Sequence, residues 1–215
     1  MRYAKVFGLM LLMLSTYCVS AAYAAEGEVL SPSYPVESTT KDNGTATFEA
    51  TGGAITVKCT SSAGVLKLKT SLSGSFDELF LGCTAGGFKC TGLADAVNGS
   101  LLFPGTFEVL AFKEGMTLKL AIIYTIEPVH FECLGLLTTI QGSVIGLITN
   151  TSGVKTKTLS SSLVGSGGKQ SLTSVNGVNH HLESETNGSA FAEMSLNQSV
   201  TATVGAGEPE IVPVY

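Results

Sequence analysis

The sequence predicts an all-β domain, an antiparallel β-sandwich with a closed β-barrel as the alternative, preceded by a signal-peptide helix. Three observations lead there. Apolar and polar residues alternate with period two in several stretches, as on strands with one buried face. Asn-Gly pairs at Asn43, Asn98, Asn176 and Asn187 supply the positive φ that tight hairpins require. The 215 residues are 44% hydrophobic and 13% charged, which excludes a disordered chain. Abundant turn formers beside β-branched residues favour many short strands.

Residues 1–24 have the three-part layout of a secretory signal. Arg2 and Lys5 precede an apolar run from Val6 to Leu14, and Ala22 and Ala24 stand at −3 and −1 before the expected cut. The run is too short to span a bilayer, which takes ~20 apolar residues. Cys18 is expected to leave with the signal, because Tyr17 stands where lipid attachment needs a small residue. The expected location is secreted or extracytoplasmic, at the cell envelope, where thiols oxidise. Removing Arg2 and Lys5 leaves 10 basic residues against 17 acidic ones, a net charge of −7. The lysines occur singly, which argues against a nucleic-acid or anionic-membrane partner.

Residues 25–45 are polar, carry Pro32 and Pro35, and are expected as a loose N-terminal leader before a single β domain over 46–215. Ile55, Val57 and Cys59 then share one strand face, and Leu66 and Leu68 alternate with Lys67 and Lys69. Phe76 to Leu81 reads as apolar on both faces. Leu118, Leu120, Ile122, Tyr124 and Ile126 line one face of the stretch from Thr117 to Glu127, and Val129, Phe131 and Cys133 line one face of the next. Leu136 to Thr149 is apolar on both faces, with Gly142 and Gly146 suited to a bulge or a close backbone approach. Ser160 to Ser174 is the best candidate for a mobile loop. Ala190 to Val204 alternates most cleanly, with Met194, Leu196, Gln198, Val200 and Ala202 on one face. Pro209 and Pro213 confine the last segment to a sheet edge. They also oppose a membrane barrel, as do the missing aromatic girdles.

Four cysteines remain after export, and four allow three connectivities. Cys59 and Cys133 each continue an apolar face, so a bond across the core is expected between them. Cys83 and Cys90 flank a glycine turn of hairpin size and are expected to pair locally. Their spacing, with no C-x-x-C, opposes structural zinc. No metal or cofactor is expected.

Few residues carry chemistry. His130 reads as a solvent-facing strand residue. Alternation puts His181, Glu183 and Glu185 on one face, where an imidazole and two carboxylates suit a divalent ion or acid/base work, or form a solvated polar face. Glycosidase acids sit ~5–9 Å apart, and Asp77, Glu78, Glu108, Glu183 and Glu185 are candidates among which spacing selects no pair. The lack of Trp weakens a sugar site. No G-x-S-x-G elbow, P-loop or H-E-x-x-H is present. The N-x-S/T matches at Asn43, Asn98, Asn150, Asn187 and Asn197 reflect a chain rich in turn residues.

The order of Ile55-Thr56-Val57-Lys58-Cys59, Leu81-Gly82-Cys83, Cys90-Thr91-Gly92, Asn98-Gly99-Ser100-Leu101, Phe131-Glu132-Cys133 and Gly142-Ser143-Val144-Ile145 resembles a family of exported, four-cysteine, β-rich proteins from actinobacteria, of uncharacterised activity. The likeness spans roughly residues 48 to 150. It implies a shared fold and disulfides, and carries over no functional residue. The expected function is a non-enzymatic exported β-domain, structural or binding a macromolecule such as an envelope protein or glycan. The alternative is a secreted hydrolase using carboxylate and histidine residues.

Overall fold

The computed structural model describes residues 27–42, 44–51, 55–93, 97–150, 153–208 and 210–214; the expected signal segment, Asn43 and Pro209 lie outside the described residues. The first strands are β1 (Glu28–Leu30), β2 (Val36–Asp42), β3 (Ala46–Ala50), β4 (Thr56–Cys59), β5 (Ser61–Leu68), β6 (Ser73–Leu81), β7 (Thr84–Ala85) and β8 (Phe88–Gly92). Three long strands follow: β9 (Ser100–Glu114), β10 (Thr117–Cys133) and β11 (Leu136–Ile148). After β12 (Thr158–Leu163) come β13 (Gly165–Ser166), β14 (Lys169–Gln170), β15 (Ser174–Val175) and β16 (Val178–Asn179). The chain ends with β17 (Leu182–Thr186), β18 (Ala192–Val204) and β19 (Val212–Val214).

The all-β, antiparallel expectation holds. Thirteen strands belong to one hydrogen-bonded sheet whose pairings run in two circuits. The first passes β9–β10–β11–β12–β18–β2–β5–β6 and returns to β9. The second passes β10–β11–β17–β18–β3–β4–β7–β8 and returns to β10. β10, β11 and β18 are long enough to serve both. Their inward residues are those the alternation selects: Leu120, Ile122 and Ile126 on β10, and Met194, Leu196, Gln198, Val200 and Ala202 on β18, are all buried. Outward positions on β2 are Glu37, Thr39 and Lys41, so this strand is dry inside and wet outside.

Phe48, Phe80 and Phe103 meet in the core with ring centroids 5.1 Å apart, a spacing at which aromatic pairs attract. Leu136 to Thr149 is covered on both faces only around Val144 to Gly146, and Leu137 is exposed. Val144 enters the main core, while Ile145 joins Phe112, Ala121, Ile123 and Val175 in a second cluster. The β15–β16 hairpin caps that cluster, and Asn176 Nδ2 donates to Ala111 O at 3.1 Å. Gly142, at φ 107°, admits a close approach: a Cβ there would lie 2.2 Å from His181 O. Pro213 sits in β19, which pairs only with β1.

Several expectations are corrected. Within the expected leader, Val36–Asp42 is not loose, because β2 pairs with both β5 and β18. Its buried residues are Val36, Ser38, Thr40 and Asp42, so three of its four inward positions read as polar. Ser160 to Ser174 opens in β12 and continues into the β13–β14 hairpin, with Ser161 buried. Phe76 to Leu81 buries one face, Phe76, Glu78 and Phe80, while Asp77 and Leu81 are exposed.

The cysteine pairing also differs. The bonds are Cys59–Cys83 and Cys90–Cys133, with Cα–Cα distances of 3.9 and 4.4 Å. Lys58 opposes Thr84, Thr84 opposes Lys89, and Cys90 opposes Cys133. The four cysteines therefore stand in one row, Cys59 on β4, Cys83 just before β7, Cys90 on β8 and Cys133 on β10. Cys83 and Cys90 are opposed on their hairpin, as expected, but a main-chain hydrogen bond of 2.9 Å joins them and each sulfur turns to its outer neighbour. Cys59 and Cys133 are three strand spacings apart, ~14 Å, too far to bridge.

On the chain-entropy account the bonds contribute about 3.5 and 4 kcal/mol for separations of 24 and 43 residues. Replacing Cys90 and Cys133 by serine is expected to lower unfolding free energy by roughly 4 kcal/mol in a urea titration. Non-reducing peptide mapping is expected to yield Cys59–Cys83 and no Cys83–Cys90 link.

Candidate functional site

The expected polar face lies on the outside of β17. Glu183 and Glu185 alternate with buried Leu182 and Ser184, opposite Gln141 and Thr139 on β11. His181, just before the strand, pairs with Glu193 on β18, Nδ1 to Oε1 3.5 Å. His130 is exposed and its Nδ1 lies 3.0 Å from Thr139 Oγ1. Glu108 and Asp77 are exposed on β9 and β6. No set of three ligating side chains that could hold a metal is present among the described residues.

Beside this face is a cleft of ≈ 290 Å³ lined by Lys169, Gln170, His180, His181 and Glu193. His180 Nδ1 is 3.0 Å from Ser143 Oγ, and its buried Nε2 has no hydrogen-bond partner among the described residues. Burial lowers the His180 pKa; Glu108 opposes this and His181 adds to it.

The interior holds a second arrangement. Every strand of the first circuit contributes to the lining of a cavity of ≈ 40 Å³, among them Thr40, Glu78, Phe103, Tyr124, Val144 and Gln198. That volume suits one or two water-sized molecules and falls far below the ~300–1,000 Å³ of small-molecule pockets. Glu78 is 7% exposed. Its Oε1 accepts from Ser62 Oγ on β5, and its Oε2 accepts from Thr40 Oγ1 on β2. Gln198 Nε2 on β18 donates to Ser62 Oγ at 2.9 Å. Gly64, opposite Glu78 in register, makes room: a Cβ there would lie 2.7 Å from Oε2. Tyr124 and Ser161 hydroxyls meet at 2.9 Å nearby, and burial pushes the tyrosine pKa up to about 12.

Burial pushes the Glu78 carboxyl above its ordinary value of 4.5, the hydroxyls of Ser62 and Thr40 pull it back, and the Asp42 carboxylate raises it again. Glu78 was one of five acids that the sequence could not rank; burial singles it out. Its partners Thr40, Ser62 and Gln198 carried no signal as a site, because they are far apart in sequence and chemically ordinary.

A third feature surrounds the cysteine row. The β7–β8 turn at Gly86-Gly87 lies beside the β10–β11 turn at Leu134-Gly135: a Cβ on Gly86 would be 3.7 Å from Leu134 Cδ1. Phe88, Leu93 and Leu134 are 62%, 56% and 49% exposed and line one open groove of ≈ 630 Å³ with Lys89 and Glu132. Leu134 holds φ 58°, a left-handed conformation that costs a leucine roughly 1–2 kcal/mol and that Gly or Asn adopts more readily.

The raised pKa of Glu78 has a signed consequence. The folded state favours the protonated carboxyl, so its contribution is complete below pH 4.5 and is lost as pH rises through the folded value. The thermal midpoint is expected to fall over that window in the wild type and to flatten in Glu78→Gln. Gly64→Ala, whose Cβ would lie 2.0 Å from the Asp77 backbone oxygen as well as 2.7 Å from Glu78 Oε2, is expected to cost about 1–3 kcal/mol by chemical denaturation.

No family model, curated protein or solved structure matches this chain.

Proposed function

We propose that this chain is an exported β-domain that acts by its structure or by binding a macromolecule at the cell envelope or outside the cell. The observation that carries the reading is the groove of Phe88, Leu93 and Leu134 above the paired cysteines. Clustered exposed apolar side chains mark interaction surfaces in soluble proteins. Leu134 adds weight, since an apolar side chain is held outward at a turn where Asn or Gly would be more stable. The disulfides suit an oxidising compartment, and the resemblance to exported actinobacterial proteins points the same way.

Half-exposed apolar side chains gain on the order of 1 kcal/mol each when a partner covers them. Phe88→Ser with Leu134→Asn is therefore expected to weaken a partner's binding at least tenfold. Leu134→Asn alone is expected to raise stability by roughly 0.5–1 kcal/mol, because it relieves the backbone. Pull-downs from the native envelope with wild type and double variant check this. A partner held by the wild type and released by the variant supports the reading; equal recovery with both removes the groove from it.

A second reading, hydrolysis, rests on the His180 cleft. The cleft gathers two imidazoles and a carboxylate, His180, His181 and Glu193, residue types that general acid/base chemistry uses. Turnover of a glycan or ester library that His180→Ala abolishes would make this the function.

A further inference from the structure

Glu78 is more deeply placed than any solvated acid, and the groups around it form a reactive set whatever the protein binds outside. A hydroxyl, a carboxylate and a carboxamide lie in sequence: Gln198 Nε2 donates to Ser62 Oγ, and Ser62 Oγ donates to Glu78 Oε1. All three side chains are buried, with Ser62 3%, Glu78 7% and Gln198 6% exposed. The amide carbon is bonded to Nε2 by a link of ~1.33 Å, so it lies no more than about 4.2 Å from Ser62 Oγ. Reacting atoms in a productive arrangement are ~3–3.5 Å apart, so the amide must turn its face toward the hydroxyl, giving up the Nε2 hydrogen bond, before attack.

We infer that Ser62 and Gln198 form an internal ester cross-link, with Glu78 as the proton carrier. Ser62 Oγ attacks Gln198 Cδ while Glu78 Oε1 takes the hydroxyl proton. The tetrahedral adduct collapses: the Cδ–Nε2 bond breaks, Glu78 returns the proton to the nitrogen, and ammonia leaves. The new bond is Oγ–Cδ, the carbonyl Oε1 stays, and Glu78 ends as it began. Nothing is oxidised or reduced and no co-reactant is consumed. Thr40 is a positioning residue, because its hydroxyl holds the second carboxylate oxygen.

Three features favour the step. Fixing the reactants in one interior replaces a bimolecular encounter, an advantage worth up to ~10⁵–10⁸ M in effective concentration. The carboxylate is desolvated, which strengthens it as a base toward the hydroxyl it touches. The adjoining cavity of ≈ 40 Å³ is large enough for one departing ammonia and too small for bulk water to follow freely. The reaction occurs once per molecule, so a slow rate suffices. Its product would join β5 to β18 across β2, linking positions 136 residues apart.

Peptide mass mapping tests this directly. The protein is purified, reduced, alkylated and cut with trypsin, which cleaves after Lys58, Lys67 and Lys169. The expected product is one branched species of residues 59–67 and 170–215, lighter than the two peptides together by about 17 Da, the mass of ammonia. Ser62→Ala and Glu78→Gln are expected to give the two peptides separately. Recovery of separate, full-mass peptides from aged wild-type protein overturns the inference, and needs no variant to fold. A branched species that persists in Ser62→Ala also overturns it. A loss of 17 Da confined to an Asn-Gly peptide is a backbone imide and counts against it as well.

Discussion

A sheet whose hydrogen bonds run in circuits leaves its long strands without an open edge and confines every inward side chain to one interior. Register is then fixed strongly. A slip of one residue on β10 would drive Lys119 inward and turn Leu120 and Ile122 away from the main core. Because β10, β11 and β18 take part in both circuits, an error in one would propagate into the other. The aromatic trio marks the junction: Phe48 comes from β3 in the second circuit, Phe80 and Phe103 from β6 and β9 in the first.

The Cys59–Cys83 bond acts where main-chain pairing is thin. β7 has 2 residues and β4 has 4, so few ladder bonds hold either in place. Each sulfur bridge joins residues at opposed positions of neighbouring strands, which reinforces a pairing rather than creating a distant one. It also sets the two exposed turns on a rigid base, since Cys90–Cys133 lies directly behind both. Apolar side chains on a rigid support lose little conformational freedom when covered, which favours their use as a contact surface.

How much was legible depends on what faces inward. β10 and β18 were plain because Leu, Ile, Met and Val occupy their inner positions. β2 and β12 were missed because Ser38, Thr40 and Ser161 interrupt inner faces that otherwise hold Val36, Leu159 and Leu163, and hydroxyl residues weaken the contrast that period-two reading needs. Those hydroxyls stay buried because each has a partner: Ser38 donates to Leu66 O, Thr40 to Glu78, and Ser161 meets Tyr124. The cysteines failed differently. Their burial was legible from the faces of Val57 and Phe131, but their pairing required knowing that four short segments lie side by side in one sheet. The polar face of Glu183 and Glu185 was legible from alternation, whereas the meeting of His180 with Ser143 depends on the β11–β17 register.

The interior carboxylate is the hardest feature to explain by stability. Apolar residues of similar volume commonly replace a buried charged group at no loss, or with a gain of ~1–4 kcal/mol. A cage that merely satisfied Glu78 would need two donors, and Ser62 and Thr40 already provide them. Gln198 adds a third buried polar side chain that touches the serine hydroxyl rather than the carboxylate. Phe76, Phe80 and Phe103 meanwhile line the same space. A hydroxyl whose proton faces a desolvated base and whose oxygen faces an amide is redundant for solvating Glu78. It brings together the groups that acyl transfer from a carboxamide uses, a base, a hydroxyl and an acyl carbon. The interior therefore fits chemistry between its own side chains better than it fits packing alone.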